Sequence, residues 1–544
     1  MNRFITALLH SADRSDRGLL SGDPADLTRT EWRDVHRRAR RIAGGLREAG
    51  VRRGDTVAVL AGAPGDIAIL VQGIWLAGAA VTMLHQPTPR TDLAAWAADT
   101  RRAIAVVDAA VLVVGDTFGA AVAEFGGERP RCIAVVDLLA GPDVEPVDTQ
   151  ETDLAFLQLT SGSTGSPKAV AITYANMYAN IRAMEIASLI NDQDVMVSWL
   201  PLFHDMGMMG FLVAPMFLGV ELVAITPSDF LAAPLIWAEL VTRYRGSMSA
   251  APNFAYGLLA RTLARAGDGD FDLSSLRFVL NGAEPIDNAV VQRFLDAGAR
   301  FGLRREAIVP AYGMAEATLA VSFTRPGDGF SVDHIDPEAM QTGGRATVST
   351  ADDARRYIGL GHPLPGIEAR VRTESGALAD TRQIGEFELR GDSIATRYRT
   401  DAGFLEAVDD SGWLATGDLG YLTEDGQLVV CGRKKDMLII SGRNIYPVDI
   451  ERAAAEVDGV RAGNAVAVPA ETAGRGEGFA VIVESAASAD IDGCARISRD
   501  VAYRVQAALG VSPRRVVVVP VGRIPKTPSG KLRRLEARGL LAIG

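Results

Sequence analysis

The stretch Thr160-Ser161-Gly162-Ser163-Thr164-Gly165-Ser166-Pro167-Lys168 directly follows an apolar run, Leu154 to Leu159, that is typical of a buried strand. Its glycines let the backbone present N–H groups to an anion, its hydroxyls add donors, and its lysine supplies positive charge for phosphate oxygens. A second stretch, Pro525 to Lys531, has a similar composition and also ends in lysine. One such loop is more often a turn or a linker, but two of them together indicate nucleotide chemistry.

The first loop departs from the Walker A pattern. Pro167 stands where the second glycine of that pattern would fall, which disfavours a P-loop kinase or ATPase. Tyr174 to Leu189 is predicted to form the helix after the loop.

Length, composition and charge restrict the class of protein. A chain of 544 residues is too long for one ordinary core, so two to four domains or subdomains are expected. Apolar residues make up 48% and charged residues 23%, as in a soluble globular protein. The net charge of −11 disfavours a nucleic-acid surface. Cys132, Cys431 and Cys494 lie far apart in the sequence, which favours neither a disulfide framework nor a zinc site. This use of cysteine predicts that the protein is located in the reducing cytoplasm.

One apolar run, Ile67 to Leu84, reaches the lower length limit of a membrane helix. Polar residues and glycines interrupt it, so we interpret it as a buried helix, Ile67 to Ala77, followed by a short strand, Ala80 to Leu84. The apolar run near the N-terminus, Phe4 to Leu9, is too short for a secretory signal. We therefore expect neither a membrane span nor export.

Apolar strand-like runs alternate with helical patterns through the first half of the chain. The predicted strands are Thr56 to Leu60, Ala103 to Val107, Cys132 to Val136 and Leu222 to Ile225. Between them, Thr30 to Gly50 has the pattern of an amphipathic helix whose arginines form a solvated face. This alternation predicts α/β units built on largely parallel sheets.

The predicted secondary structure of the chain changes at a charged run, Gly432 to Asp436. Before it, Gly385 to Arg390 and Gly426 to Cys431 are predicted to be antiparallel strands. After it, a fresh α/β pattern predicts a small domain, 435–544, joined by a hinge to a large domain, 1–434. The elements predicted in the small domain are strand Met437–Ser441, helix Val448–Glu456, strand Ala465–Val468, strand Ala480–Val483, helix Arg496–Leu509 and strand Arg515–Val519.

Six motifs in a fixed order give the chain a resemblance that covers nearly its whole length. They are the loop 160–168, Asn281-Gly282-Ala283-Glu284-Pro285, Ala311-Tyr312-Gly313-Met314-Ala315-Glu316-Ala317-Thr318, Thr416-Gly417-Asp418, Gly432-Arg433-Lys434-Lys435-Asp436 and the stretch 525–531. In this order they resemble the adenylate-forming enzymes: acyl-CoA synthetases, nonribosomal peptide adenylation domains, luciferases and fatty acyl-AMP ligases. The resemblance implies an α/β fold with a large N-terminal domain of stacked α/β subdomains plus a β-barrel-like subdomain, and a small mobile α+β C-terminal domain.

The resemblance also implies a reaction in which a carboxylate attacks the α-phosphorus of ATP, with Mg²⁺, to give an acyl-adenylate and pyrophosphate. Both reactants are anionic, so the site must supply positive charge in the transition state. By the same resemblance Lys531 would bridge the carboxylate and the α-phosphate, Glu316 would bind Mg²⁺, and Lys435 would be the hinge residue. His204 would act as a gate between nucleotide and acyl pockets, although a lone histidine is more often structural.

The ATP contacts that the resemblance implies come from most of the motifs. They are assigned to Thr160, Ser161, Gly162, Ser163, Thr164, Gly165, Lys168, Gly282, Ala283, Glu284, Tyr312, Gly313, Met314, Ala315, Asp418, Arg433 and Lys531. Within this set Tyr312 would stack on adenine, Asp418 would accept the ribose hydroxyls, and Arg433 would hold the ribose or a phosphate. The alternative for Asp418 is a turn or capping residue.

Three further stretches resemble the fatty acyl-AMP ligase subgroup: 198–207, 250–256 and 442–451. Ala315 precedes the predicted magnesium ligand, where acyl-CoA synthetases usually carry Thr. The segment Thr324 to Arg356 corresponds to one that, in this subgroup, is thought to restrain the small domain and disfavour CoA. The apolar stretch Met206 to Leu212 is consistent with an acyl tunnel, but its pattern alone favours core.

We therefore predict a stand-alone fatty acyl-AMP ligase that activates a medium- or long-chain fatty acid and passes it to the phosphopantetheine of an acyl carrier protein. Because few residues follow Lys531, we expect the acceptor to be a separate molecule. We also expect the enzyme to be a monomer or weak dimer. Within the subgroup the chain is most similar to enzymes that lipidate siderophores such as mycobactin. The alternatives are a fatty acyl-CoA synthetase and a degenerate nucleotide-binding module, which the joint presence of Lys531, Glu316 and Asp418 disfavours.

Overall fold

The computed structural model describes residues 1–87, 91–123, 125, 130–161, 167–352, 354–440, 443–461, 463–470, 478–526 and 532–542. Its α-helices are α1 (Arg3–Arg14), α2 (Trp32–Glu48), α3 (Pro64–Leu76), α4 (Leu93–Val107), α5 (Gly119–Ala123), α6 (Val135–Leu139), α7 (Tyr174–Ser188), α8 (Ala214–Leu218), α9 (Pro227–Ala232), α10 (Leu235–Tyr244), α11 (Asn253–Leu263), α12 (Asn288–Ala299), α13 (Pro337–Gly343), α14 (Pro447–Ala455), α15 (Ile491–Leu509) and α16 (Arg534–Ala537). A π-helix, Met206–Val213, runs directly into α8. Among the described residues, none of these helices combines the length and apolar composition that crossing a bilayer requires.

The strands run through the whole chain. They are β1 (Gly18–Asp23), β2 (Asp26–Glu31), β3 (Thr56–Leu60), β4 (Ala80–Met83), β5 (Ala109–Val114), β6 (Arg131–Ala134), β7 (Leu154–Ser161), β8 (Pro167–Thr173), β9 (Val195–Ser198), β10 (Glu221–Ala224), β11 (Met248–Ala251), β12 (Phe278–Asn281), β13 (Ile308–Gly313), β14 (Ala320–Phe323), β15 (Val332–Ile335), β16 (Arg355–Ile358), β17 (His362–Pro363), β18 (Ile367–Arg372), β19 (Gly385–Gly391), β20 (Arg397–Thr400), β21 (Gly403–Glu406), β22 (Leu414–Leu422), β23 (Leu428–Arg433), β24 (Leu438–Ile440), β25 (Arg443–Ile445), β26 (Ala465–Pro469), β27 (Phe479–Glu484) and β28 (Arg515–Val519).

Two large sheets form the body of the protein. One has the order β17-β14-β13-β12-β11-β9-β10-β1-β2, and its strands from β13 to β1 pair in parallel. The other has the order β21-β20-β8-β7-β4-β3-β5-β6, with parallel pairing from β7 to β6. Helices cover both sheets, as a fold with parallel strands requires. In such folds ligands bind beyond the carboxyl ends of the strands.

The α/β class is confirmed, and most predicted elements lie where the sequence placed them. Thr56 to Leu60 forms β3, and Leu222 to Ile225 overlaps β10. The amphipathic pattern from Thr30 to Gly50 forms α2. The apolar run Ile67 to Leu84 divides into the end of α3 and the strand β4, as its interruptions predict.

The predicted strand Ala103 to Val107 is wrong, because these residues form the last turns of α4. Asp92 caps the start of this helix by accepting from the backbone N–H groups of Ala94 and Ala95. A capped helix then continues through the apolar run until Asp108 adopts a left-handed conformation. The strand of this α/β unit is β5, which starts at the next residue. Likewise, the predicted strand Cys132 to Val136 gives way to helix at Val135.

The predicted helix Tyr174 to Leu189 is confirmed as α7 (Tyr174–Ser188), but the strand β8 precedes it. The chain first returns along β7 as the antiparallel strand β8, which pairs Thr160 with Lys168. Helix α7 begins only after β8, where the Thr173 side chain accepts from the Asn176 backbone in a capping box. This return places Lys168 beside the start of the loop.

The antiparallel region before the charged run is a four-stranded sheet with the order β18-β19-β22-β23. After the charged run, β24 and β25 pair as a two-stranded sheet, so the predicted strand Met437 to Ser441 is present over Leu438–Ile440 among the described residues. The predicted helix and strands that follow are α14, β26, β27, α15 and β28, and the three strands form one sheet. The division at residue 434 stays a prediction.

The segment Thr324 to Arg356 contains β15, α13 and the start of β16. It contacts residues that follow the charged run. Arg355 and Asp449 form an ion pair of 2.8 Å whose side chains are only 9% and 5% exposed. The Arg443 Nε–H donates to the Gln341 Oε1 at 2.9 Å. These contacts tie the segment to α14 and β25.

We predict that Arg355→Met destabilises the protein by about 3–5 kcal/mol, because it leaves the Asp449 carboxylate buried without its cation. Arg356→Met is the matched control: Arg356 is exposed on the same strand, so its loss should change the free energy of unfolding by less than about 0.5 kcal/mol. Urea unfolding of both variants measures the difference, and equal effects would contradict the prediction.

Candidate active site

A cavity of about 630 Å³ opens where the two large sheets and the four-stranded sheet meet. Most predicted site residues that the structure describes line it. These are Thr160, Lys168, His204, Gly282, Ala283, Tyr312, Gly313, Met314, Ala315, Glu316, Arg433 and Lys435. Gly162, Ser163, Thr164, Gly165 and Lys531 lie outside the described residues, as does the side chain of Ser161.

Asp418 lies behind the cavity wall and bonds two side chains that line it. The Tyr312 hydroxyl donates to Asp418 Oδ2 at 2.6 Å, and Arg433 Nε lies 3.1 Å from Asp418 Oδ1. The antiparallel register pairs Asp418 with Arg433 directly across β22 and β23. Asp418 raises the pKa of Arg433, and burial raises that of the Tyr312 hydroxyl. The carboxylate is therefore fixed in orientation and held beside an aromatic ring.

The motif that contains Gly282 forms a tight turn after β12. Ala283 has a φ of +66°, a conformation that non-glycine residues adopt rarely and at a cost of about 1–3 kcal/mol. A Cβ atom at position 282 would lie 3.1 Å from the carbonyl oxygen of Ala311, so glycine allows the turn to approach β13 closely. Glu284 accepts from the backbone N–H of Phe254 at 2.6 Å, which anchors the turn to α11. The strained turn thus brings backbone to the cavity.

Glu316, Lys168 and Tyr398 form a polar cluster at one end of the cavity. The Tyr398 hydroxyl donates to Glu316 Oε1 at 2.9 Å, and the Lys168 Nζ lies 3.9 Å from the same oxygen. The ammonium also lies 3.4 Å from the centre of the Tyr398 ring, within cation–π range. Burial lowers the pKa of Lys168, and nearby Lys435 lowers it further while Glu316 opposes the shift. A partly buried cation beside a carboxylate suits the binding of anionic oxygen with a divalent cation.

The charged run 432–436 is a short turn at the edge of the cavity. Lys434 and Lys435 both line the cavity, and the Lys434 Nζ donates to Glu386 at 2.8 Å. Glu386 also accepts from the backbone N–H of Gly417 at 3.0 Å. This carboxylate therefore joins the turn before Asp418 to the predicted hinge.

The residues that follow Lys531 are tied to the same turn. The guanidinium of Arg534 donates to Asp436 at 3.1 Å and to Glu451 at 2.8 Å. Burial raises the pKa of Glu451, and Arg534 opposes that rise. Arg533 lines the cavity. The chain two residues after Lys531 thus reaches the cavity.

Two histidines lie at the neck between the polar and apolar parts of the cavity. His204 Nδ1 lies 2.7 Å from Asp205 Oδ1, which fixes the orientation of its ring. His85 follows β4 and contacts Phe203 edge to face, with ring centroids 5.1 Å apart. Burial, together with smaller effects of His204 and Arg533, lowers the pKa of His85 to about 4. Its imidazole is therefore neutral near pH 7.

The apolar part of the cavity runs past the π-helix. Met206, Gly210 and Phe211 line it, whereas Met208 and Met209 are packed in the core. The stretch Met206 to Leu212, which the pattern alone assigned to the core, thus supplies both core and cavity wall. A π-helix is rare and is often found at functional sites.

Sequence reasoning missed several residues that line the cavity: His85, Gln158, Glu386, Tyr398 and Arg533. His85 carried a usable signal, because it follows a predicted parallel strand at its carboxyl end, where ligands bind in such folds. The position of Tyr398 depends on pairing between β20 and β8, which are distant in sequence.

We predict that His85 makes stability fall at acid pH. In the unfolded chain this histidine takes up a proton near its ordinary pKa of about 6.5, whereas in the folded protein it does so near 4. The unfolded state therefore binds more protons between these values, and stability falls as the pH falls. Compared with His85→Gln, the wild type should lose about 2 kcal/mol more between pH 6.5 and 4.5. Unfolding curves at both pH values test this; parallel pH profiles would contradict it.

The comparisons with known proteins agree with this geometry. The family model for the AMP-binding enzymes matches residues 11–399. Over 99% of both chains the protein is 53% identical to Rv1013 of Mycobacterium tuberculosis, which is named as a ligase. It is 33% identical to the long-chain-fatty-acid–AMP ligase FadD32 of Mycolicibacterium smegmatis, over 96% of this chain and 90% of that protein.

A solved structure from a study of fatty acyl-adenylate ligases of E. coli and L. pneumophila has the same fold. It superposes with a TM-score of 0.91 at 30% identity and covers 99% of this chain and 98% of its own. The large domain with several sheets and the smaller C-terminal domain match in both. The chain therefore belongs to the AMP-binding enzyme family and is an adenylate-forming enzyme.

Proposed function

We propose that the protein is a fatty acyl-AMP ligase. The observation that carries the proposal is the continuity of one cavity, which joins a polar end at Tyr312 and Glu316 to an apolar end at Met196, Met248 and Phe278. An acyl-adenylate has this same division into an anionic nucleotide and a hydrocarbon chain. Apolar walls with a few placed polar groups are typical of sites for small ligands.

In the first reaction an oxygen of the fatty carboxylate attacks the α-phosphorus of ATP, and the bond to the pyrophosphate oxygen breaks. Negative charge gathers on the α-phosphate as this happens, so fixed cations lower the barrier. Lys168 lies at the polar end to hold departing phosphate oxygens, and Arg433 lies beside Asp418. We assign to Lys531 the role of neutralising the charge that develops on the attacked α-phosphate.

Glu316 fits the role of the protein ligand for Mg²⁺. Its carboxylate faces the cavity next to Lys168 and Tyr398. Across the described residues, His, Cys, Asp and Glu side chains do not gather in threes as a metal site. A single carboxylate still suffices, because Mg²⁺ in nucleotide sites takes most of its ligands from phosphates and water. Bound there, Mg²⁺ would neutralise phosphate charge.

The contacts of the segment 324–356 support an acyl carrier protein, not CoA, as the acceptor. In the second reaction a thiolate attacks the acyl carbonyl and AMP leaves, and the family rotates its C-terminal domain to admit the thiol. The buried pair of Arg355 and Asp449 and the bond from Arg443 to Gln341 oppose a free rotation. A carrier protein can offset that cost through the contacts of its folded surface, which free CoA does not have.

The proposal predicts a specific order of products. With radiolabelled ATP, Mg²⁺ and saturated fatty acids, acyl-adenylate should form without any thiol. Adding a carrier protein with its phosphopantetheine arm should consume it to give acyl-carrier, whereas CoA should not. The same carrier without the arm is the control. Efficient acyl-CoA formation would instead identify an acyl-CoA synthetase, and no pyrophosphate release with any acid would contradict both.

We predict that Lys531→Ala lowers the rate of adenylation by about 10²-fold or more but changes ATP affinity by less than about threefold. The lysine would act on charge that develops in the transition state, while the large domain holds the base and ribose. Lys526→Ala is the matched control, because the ammonium of Lys526 donates to the Gly463 carbonyl at 3.1 Å and does not line the cavity. Titration with a fluorescent ATP analogue and a pyrophosphate assay separate the two effects; equal losses would overturn the assignment.

A further inference from the structure

The apolar arm of the cavity runs between two helical walls over the nine-stranded sheet. On α7, Ile181, Glu185 and Ser188 face it at helical spacing. On the opposite wall Gly210 and Leu218 face it from the π-helix and α8. The arm therefore has a definite direction, from the histidine neck towards the carboxyl ends of α7 and α8.

A second hollow, of about 890 Å³, lies on the outer side of these helices, against α1. Glu185 and Leu218 line both this hollow and the apolar arm. The two side chains are thus the partition between the interior and the surface. Around the hollow lie Arg3, Arg14 and Arg182, so its outer side is charged.

The structure holds both residues of the partition in place. The hydroxyl of Ser15 donates to the Gly219 carbonyl at 2.7 Å, and that of Ser11 donates to the Met216 carbonyl at 3.1 Å. Helix α1 thereby fixes the short helix α8 on both sides of Leu218. Glu185 forms an ion pair with Arg182 one turn earlier on α7. Displacing it would separate a pair that is partly in solvent.

The depth of the arm follows from the sheet beneath it. The Arg277 guanidinium donates to the Ser188 carbonyl at 3.0 Å, so the end of α7 lies level with the start of β12. From Gly282, at the nucleotide end, to Phe278 is four residues, or roughly 13 Å of strand. A hydrocarbon chain with bonds of about 1.5 Å spans this distance with about ten carbons.

We propose that Glu185 and Leu218 form the end wall that sets the longest acyl chain the enzyme activates. The preferred substrate is then a medium-chain fatty acid of about ten carbons, whose methyl end meets Leu218. A longer chain must push past Leu218 and the ion pair of Glu185 into the outer hollow. This inference rests on the proposed function, because it concerns the acyl substrate of the same cavity.

The test compares the chain-length profiles of wild type, Leu218→Ala and Glu185→Ala with a series of saturated acids from C6 to C18. Removing either side chain opens the partition and lets about two more methylene groups be buried. For acids two or more carbons beyond the wild-type optimum, kcat/KM relative to the optimal acid should rise about tenfold. Ile186→Ala is the matched control, since Ile186 is exposed on the same helix and does not line the arm.

The result can separate this inference from the proposed function. If the wild type adenylates fatty acids but both variants keep its chain-length profile, the end wall lies elsewhere and the inference fails. If the wild type binds ATP yet adenylates no fatty acid, the proposed function fails. A wild-type optimum well above about ten carbons would also overturn the inference, because the closed partition leaves no length for such a chain.

Discussion

The rest of the site depends on the hydrogen bond between Tyr312 and Asp418. Tyr312 ends a strand of the nine-stranded sheet, and Asp418 lies in the four-stranded sheet, so the bond joins two separately built parts. It is a charge-assisted bond of 2.6 Å in a buried setting, which makes it strong and directional. Arg433 completes the arrangement from the neighbouring strand and directly precedes the hinge turn. The ring, carboxylate and guanidinium thus keep fixed positions relative to the part of the chain that is predicted to move.

Several charged side chains around the cavity already have a partner of opposite charge. Lys168 has Glu316 and the Tyr398 ring, and Lys434 has Glu386. Such pairs avoid the cost of burying an isolated charge. They also leave the cations beside a cavity recessed from the surface, where their attraction for phosphate is greater than at the surface. The cations that would bind an anionic ligand are therefore already in place before the ligand arrives.

The sequence could predict what local patterns decide. The strand Thr56 to Leu60 and the helix from Thr30 to Gly50 were confirmed because period and end signals agree there. Ala103 to Val107 was assigned wrongly because a short apolar run fits strand and helix equally, and the deciding cap at Asp92 lies well upstream. The strand β8 was missed because its antiparallel pairing with β7 depends on contacts between strands, which the local sequence pattern does not show.

The same distinction holds at the site. Motif order identified the residues that line the polar end, because a resemblance carries tertiary information that local pattern lacks. His85 and Tyr398 belong to no motif, and only packing brings them to the cavity. Their chemistry is likewise tertiary: burial lowers the pKa of His85 and raises that of the Tyr398 hydroxyl.

Two kinds of contact would affect a rotation of the C-terminal part of the chain: contacts within that part and contacts between it and the segment 324–356. Arg534 ties the segment that follows Lys531 to Asp436 in the hinge turn and to Glu451 on α14, so this segment, the turn and the helix form one unit. That unit is joined to the segment 324–356 through the buried pair of Arg355 and Asp449. A rotation about Lys435 would keep the first set of contacts, because they lie on the moving side, but would break the buried pair. In the proposed second reaction, binding of the thiol acceptor would have to offset the loss of this pair and of the packing around it. In the proposed function, the contacts that restrain the hinge are therefore also the contacts that favour a carrier protein as the thiol acceptor.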